Sequence, residues 1–339
     1  MAAGAGSAAE PLPDTRVWVL ADDRIGHANQ SLGVAEALGL PFQVKTLAYR
    51  RLASLPNALL GVSLVHLTAA ARQALRPPWP RLVIAAGRRS VPVARTIKRQ
   101  SGGQCFLVQC MWPGPPAGAI DLIATPAHDR VPAGYPVLRT LGAPNRVTPA
   151  RLAEAARAWQ DRLEAVARPR LAVLVGGSTA RFRFGIDDAR ALGSAVATLA
   201  RSSGAGIMVT TSRRTDDHAR AALFAALGPA VSFDWHHQGG DNPYFGFLAL
   251  ADFIVVTGDS TAMCTEACTA GRPVYVFAPA DRTADKHKRL HAALYQRGCA
   301  RPLESALGQS GLASWAYPPL DDAGAVAAEI RRMTGLGAG

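Results

Sequence analysis

The 339 residues hold no window of about 18 apolar positions without a charge or a helix breaker, so no bilayer-spanning helix is expected. The first fifteen positions contain no Lys or Arg, which a secretory signal would need at its start and a transit peptide would carry on an amphipathic face. The expected location is cytoplasmic, at most peripheral to the inner face of a membrane. Cysteine is scarce: five residues, with only Cys264 and Cys268 standing four apart, inside an expected helix and without a second cysteine pair, point to small buried hydrophobes in a reducing compartment rather than to a disulfide framework. Aromatic residues make up 6%, few for stacking on single-stranded nucleic acid, and no long basic tail stands out, so nucleic acid is not the expected partner. Three motifs are also missing. There is no Gly-x-Gly-x-x-Gly fingerprint and no Walker A sequence, and after Gly258-Asp259-Ser260 the second glycine of a nucleophile elbow is replaced by Ala262. No cofactor and no metal site is expected.

What is present is basic and amply apolar. Thirty-seven Lys and Arg against 25 Asp and Glu give a formal charge of +12. With arginine spread along the chain, that balance suits a phosphorylated small molecule or an anionic membrane surface. The 49% of apolar residues suffices for two cores, and the length suggests two domains. Short apolar runs at Val17–Ala21, Phe42–Thr46, Leu82–Ala86, Cys105–Gln109 and Asp121–Ala124 read as strands. A long helical pattern from Pro149 to Ala167 follows. The rhythm then restarts with strand Leu171–Val175, helix Asp187–Ser202, strand Gly206–Thr211 and helix Asp216–Leu227. It ends with strand Phe253–Val256, helix Thr261–Ala270 and strand Val274–Phe277. Strands alternating with helices predict an α/β fold of two doubly wound, Rossmann-like domains facing a cleft. The expected boundaries are a tail at 1–15, domains at 16–148 and 170–335, and a linker helix at 149–169.

Ligands in such sheets sit at the carboxyl ends of strands, so the loops there are the candidates. In Gly258-Asp259-Ser260-Thr261, a strand runs into small residues that open a helix, whose free N–H groups and dipole favour an anion. Glu266, about a turn and a half further on, would accept the hydroxyls of a ribose. The same pattern also fits an ordinary N-cap by Asp259 or Ser260 with Glu266 solvated. Gly176, Gly177, Ser178, Thr179 and Arg181 follow another strand; paired glycines admit a close backbone approach and the polar residues supply donors. Arg213, at the end of a third strand, joins this nucleoside-diphosphate set.

In the first half, Asp22, Asp23 and His27 follow the first strand. His27 suits a general base near neutral pH, and either aspartate would orient it or act directly. A loop of solvated charges with Asn29 as helix cap fits the same residues. Asn242 and Lys286 are candidates for the sugar side. His287 and His291 stand four apart on an expected helix, a zinc-compatible spacing without a companion ligand.

Together these residues resemble GT-B glycosyltransferases. The stretches are Gly26-His27 before a helix, Gly176-Gly177-Ser178, and Ser260 through Glu266-Ala267 to Gly271-x-Pro273. The likeness includes the lipid II-forming N-acetylglucosaminyltransferases, and UDP-N-acetylglucosamine 2-epimerases share that fold. A nearly full-length similarity, from about Val17 to Ile330, is to the mitochondrial fission (elongated-mitochondria) family. It rests on Asp23 through Gln30, Gly87-Arg88-Arg89-Ser90, Leu174 through Ser178, Thr211 through Thr215, and Asn242-Pro243-Tyr244 through Glu266-Ala267. The resemblance implies a GT-B-like fold and a nucleoside-diphosphate sugar, taken as a UDP-sugar, as partner. By position it implies Gly177, Ser178, Ser260 and Thr261 at the diphosphate, Glu266 at the ribose, and His27 or Asp23 at the acceptor. The basic Lys286–Arg289 stretch replaces the glutamine-rich donor-sugar segment of the glycosyltransferase. Three functions follow: a glycosyltransferase, a non-catalytic membrane-surface adaptor on the same fold, or a nucleotide-sugar epimerase.

Overall fold

A computed structural model describes residues 17–179, 182–236, 241–307 and 311–337. The Ala/Gly/Pro-rich start read as a tail lies outside the described residues.

The first series of strands is β1 (Val17–Ala21), β2 (Phe42–Thr46), β3 (Leu82–Ala86), β4 (Phe106–Cys110), β5 (Leu122–Pro126) and β6 (Val137–Thr140). They form one sheet in the order β2-β1-β3-β4-β5-β6. Its helices are α1 (Ile25–Leu38), the short α2 (Asn57–Leu60) and α3 (Ala69–Gln73), and α4 (Val91–Gln100). The second series is β7 (Arg170–Leu174), β8 (Gly206–Thr210), β9 (Val231–Phe233), β10 (Phe253–Thr257), β11 (Val274–Phe277) and β12 (Ala300–Pro302), ordered β12-β11-β10-β7-β8-β9. Before and between these strands run α5 (Pro149–Trp159), α6 (Ile186–Ser203), α7 (Asp217–Leu227) and α8 (Tyr244–Leu250). The chain continues through α9 (Thr261–Thr269), α10 (Asp285–Gln296), α11 (Leu303–Leu307) and α12 (Asp322–Thr334). The architecture is therefore α/β and GT-B-like, with two six-stranded doubly wound sheets.

The chain divides into two compact units, Met1–Ile123 with Ala327–Gly339, and Ala124–Val326. The end of α12 returns to the first unit, where the Arg331 guanidinium donates to Ala37 O and Leu38 O at 3.1 and 2.8 Å. A cation on the last carbonyls of α1 satisfies acceptors that the helix cannot pair itself.

Composition explains the sheets. Strands β1, β3, β7 and β10 are buried at every position, as expected of parallel strands covered on both faces. Along β7, Leu171 and Val173 pack into one apolar cluster with α6 and α7, while Ala172 and Leu174 pack into the opposite one with α8 and α9. The edge strand β2 is only partly buried, with Val44 and Thr46 exposed, and the Lys45 ammonium sits 4.3 Å over the Trp18 ring.

Two expectations change. The helix after β1 begins at Ile25 with Arg24 at its N-cap, so Asn29 lies inside it and His27 in its first turn. The helical pattern from Pro149 ends at Trp159, after which the chain turns and buries Leu163 and Val166 in the core.

The strand orders locate two special positions. In the first sheet the chain leaves β1 toward β2 and later departs from β3 the other way. In the second, β7 and β10 are the adjacent strands whose continuations diverge. Loops at such switch points leave an opening at the carboxyl ends of the strands.

Candidate functional site

At the first switch point, the loop after β1 meets the loop after β3. Asp22 continues the buried run of β1 and its side chain is 1% exposed. His27 Nδ1 donates to Asp22 Oδ2 at 2.7 Å, and Arg89 Nη2 donates to Asp22 Oδ1 at 2.7 Å. Burial would raise the Asp22 carboxyl. Its contacts with His27 and Asp23 and the charges of His27 and Arg89 outweigh burial and hold it well below the usual carboxylate range. When Nδ1–H is directed at Asp22 and the ring carries no second proton, the lone pair lies on Nε2, which no group among the described residues hydrogen-bonds. The exposed Asp23 instead pairs with Arg89. The structure thus brings Asp22 and His27 together and sets Asp23 on the arginine.

Arg89 is held from three sides. Its guanidinium stacks 4.4 Å from the Tyr49 ring centroid, Tyr49 stacks on His66, and His66 Nε2 donates to Arg89 O at 3.1 Å. Burial lowers the pKa of His66 and raises that of Tyr49, so both are neutral supports. Arg88 points elsewhere, donating to Leu55 O and Ala53 O. Gly87 has φ +81°, and a Cβ there would collide with the His27 ring, so a side chain is excluded twice over.

At the second switch point, Thr257 Oγ1 at the end of β10 accepts from Gly176 N at 2.8 Å and ties the two strand ends together. Ser260 is the N-cap of α9, accepting from Met263 N at 3.4 Å. Among the described residues no hydrogen bond engages the Thr261 or Ala262 amide, which leaves donors at the helix start. Asp259 has a fully buried side chain, ion-paired with Arg214 Nη1 at 2.7 Å. Arg214 also donates to Gly177 O and Ser178 O at 3.2 and 3.3 Å.

Glu266 is not solvated. It is buried, and the Tyr244 hydroxyl donates to Oε2 at 2.6 Å. Burial pushes its carboxyl up to about 7, with the Tyr244 hydrogen bond opposing. Asn242 is exposed and its Oδ1 accepts from Tyr244 N at 3.0 Å, so its visible role is to shape the start of α8.

The Gly-Gly-Ser loop is more committed than its sequence suggests. Ser178 N donates to Arg214 O, Thr179 N to Phe182 O, and Ser178 Oγ accepts from Phe184 N. Arg181 lies outside the described residues. Arg213 is exposed and its neighbour Arg214 faces the site, a distinction that the Arg-Arg pair does not reveal in sequence. Lys286 is ion-paired with Asp129 at 2.7 Å. His287 lines a small cavity with Thr257, Gly258, Asp259, Phe277 and Thr283. His291 Nε2 donates to Gly258 O at 3.0 Å, and burial pulls its pKa down to about 4, leaving it neutral. Among the described residues no group of three or more His, Cys, Asp or Glu is placed to hold a metal ion. All five cysteines are buried and free.

Sequence reasoning assigned no role to Arg89 and Tyr244, which stood in stretches marked by the family resemblance, and it did not separate Arg214 from Arg213.

Among solved structures, the UDP-GlcNAc 2-epimerase of Methanocaldococcus jannaschii aligns with a TM-score of 0.58 at 12% identity, over 94% of this chain and 99% of that one. The Neisseria meningitidis UDP-GlcNAc 2-epimerase bound to UDP-GlcNAc aligns at 0.55 and 12%, over 94% and 98%. At that identity the likeness describes the fold. An uncharacterised Rickettsia prowazekii protein is 28% identical, over 93% of this chain and 97% of its own. The Arabidopsis thaliana mitochondrial fission protein ELM1 is 32% identical over 77% of this chain, which spans 66% of that protein's length. The family model described as mitochondrial fission ELM1 matches residues 25–334, and the chain belongs to that family.

Proposed function

We propose that this protein is a nucleotide-sugar-dependent glycosyltransferase in which the second unit holds the donor and the first supplies the base. The open amides at the start of α9, with Arg214, would receive the diphosphate, and Glu266 the ribose hydroxyls. His27 Nε2 would take the acceptor proton while Asp22 stabilises the imidazolium that forms. The acceptor oxygen then bonds to the anomeric carbon as the bond to the phosphate oxygen breaks, and the nucleoside diphosphate leaves with the electron pair.

The observation that carries this reading is the hydrogen-bonded pair of buried Asp22 and partly exposed His27, with Arg89 behind it. An oriented imidazole with a free nitrogen favours the catalytic reading over a surface adaptor. The basic charge favours anionic partners in general and does not separate the readings.

A titration of nucleoside diphosphates and their sugars against wild type and Glu266→Gln tests it. Binding of one nucleotide sugar, weakened about tenfold in the variant, supports the assignment. An adaptor would co-sediment with anionic vesicles and leave every nucleotide sugar unbound. An epimerase would convert the bound sugar with no acceptor present.

A further inference from the structure

The second site contains a group that a diphosphate pocket does not need. Asp259 directly precedes the cap of α9, its side chain 0% exposed, and among the described residues neither carboxylate oxygen receives a hydrogen bond. Its counter-charge is the Arg214 guanidinium. The carboxylate lies so close to Gly176 that an added Cβ there would strike it, which places it between the two strand-end loops. The positive start of α9 attracts an anion to this same place. A buried carboxylate penalises each further negative charge a ligand brings, since like charges repel strongly away from water. Lys286 does not offset it freely, being held by Asp129.

Resting on the nucleotide-sugar reading of this site, we propose that Asp259 makes the site prefer the nucleotide sugar over the free nucleoside diphosphate. The two ligands differ in charge. In the sugar ester both phosphates are esterified, whereas the terminal phosphate of the free diphosphate ionises a second time near neutral pH. Sugar transfer therefore creates a more negative product from a less negative donor. Arg214 can balance one phosphate oxygen only by sharing itself with Asp259. The extra charge of the product meets the Asp259 carboxylate, and Asp259 favours its release.

Calorimetric titration of UDP and UDP-GlcNAc into wild type and Asp259→Asn tests this, with thermal melting to establish that the variant folds. The expected result is about tenfold tighter UDP binding in the variant, with UDP-GlcNAc changed by less than about threefold. Equal gains for both ligands, or weaker UDP binding, would overturn the role of Asp259 and leave the site reading standing. Failure of both ligands to bind either folded protein would remove the site reading and this inference with it. A second measurement needs no variant: wild type should bind the terminal methyl ester of UDP several-fold more tightly than UDP itself. Equal affinity for the two would also overturn the proposal.

Discussion

The Tyr244 hydroxyl donates to Glu266 Oε2 across 2.6 Å, joining the first turn of α8 to the middle of α9 at a site that sequence left partly to solvent. Burial of the carboxylate raises its pKa from 4.5 to about 7, which makes the pair a pH-sensitive element. The unfolded chain then releases this proton first. Between about pH 4.5 and 7 the folded state binds more protons, so stability falls as pH rises through that window and levels off above it. Glu266→Gln should flatten the slope, by on the order of 3 kcal/mol across the window, in thermal melts at stepped pH. If ribose hydroxyls need the ionised carboxylate, nucleotide affinity should rise over the same range in wild type and not in the variant.

Asp22 has the opposite sign. Its folded pKa lies below the ordinary 3.8, so its stabilisation is complete above that value and is lost as pH falls below it. Asp22→Asn should therefore reduce stability at neutral pH and narrow the gap to wild type in strong acid. Acid unfolding followed by circular dichroism measures both.

Gly87→Ala should damage fold and site together. The residue sits at φ +81°, and the new Cβ would enter the space of the His27 ring. A loss of about 1–3 kcal/mol is expected, together with displacement of His27, visible as a shifted imidazole resonance in NMR.

Arg213 and Arg214 should separate cleanly. Arg214→Gln leaves the buried Asp259 without a counter-charge and should cost about 1–2 kcal/mol, discounted because the arginine is itself partly exposed. Arg213→Gln, at an exposed position, should stay within about 0.5 kcal/mol. Denaturant midpoints for the two variants make the comparison.

The central strands could be read from sequence because parallel strands buried on both faces leave unbroken apolar runs, as in Leu82–Ala86 and Phe253–Val256. Strands β6, β9 and β12 could not. They are three or four residues long and partly exposed, and β12 contains Pro302, so no such run forms. For the site, placement was legible and partnership was not. Strand ends located Asp22, His27, Gly176 and Ser260, yet which aspartate holds His27 depends on where β1 stops and α1 starts. Tyr244 and Glu266 stand 22 positions apart, and no spacing rule joins them.

The central claim is that His27 works as a base on a reaction of a bound nucleotide sugar. Its most direct test is the release of nucleoside diphosphate from that sugar by wild type and His27→Ala, with donor affinity measured alongside. Turnover should drop about 10²–10⁴-fold in the variant while donor affinity holds, because His27 and the residues proposed for the donor belong to different units. Equal turnover in the two proteins, or donor binding with no turnover in wild type under any acceptor, would contradict the account.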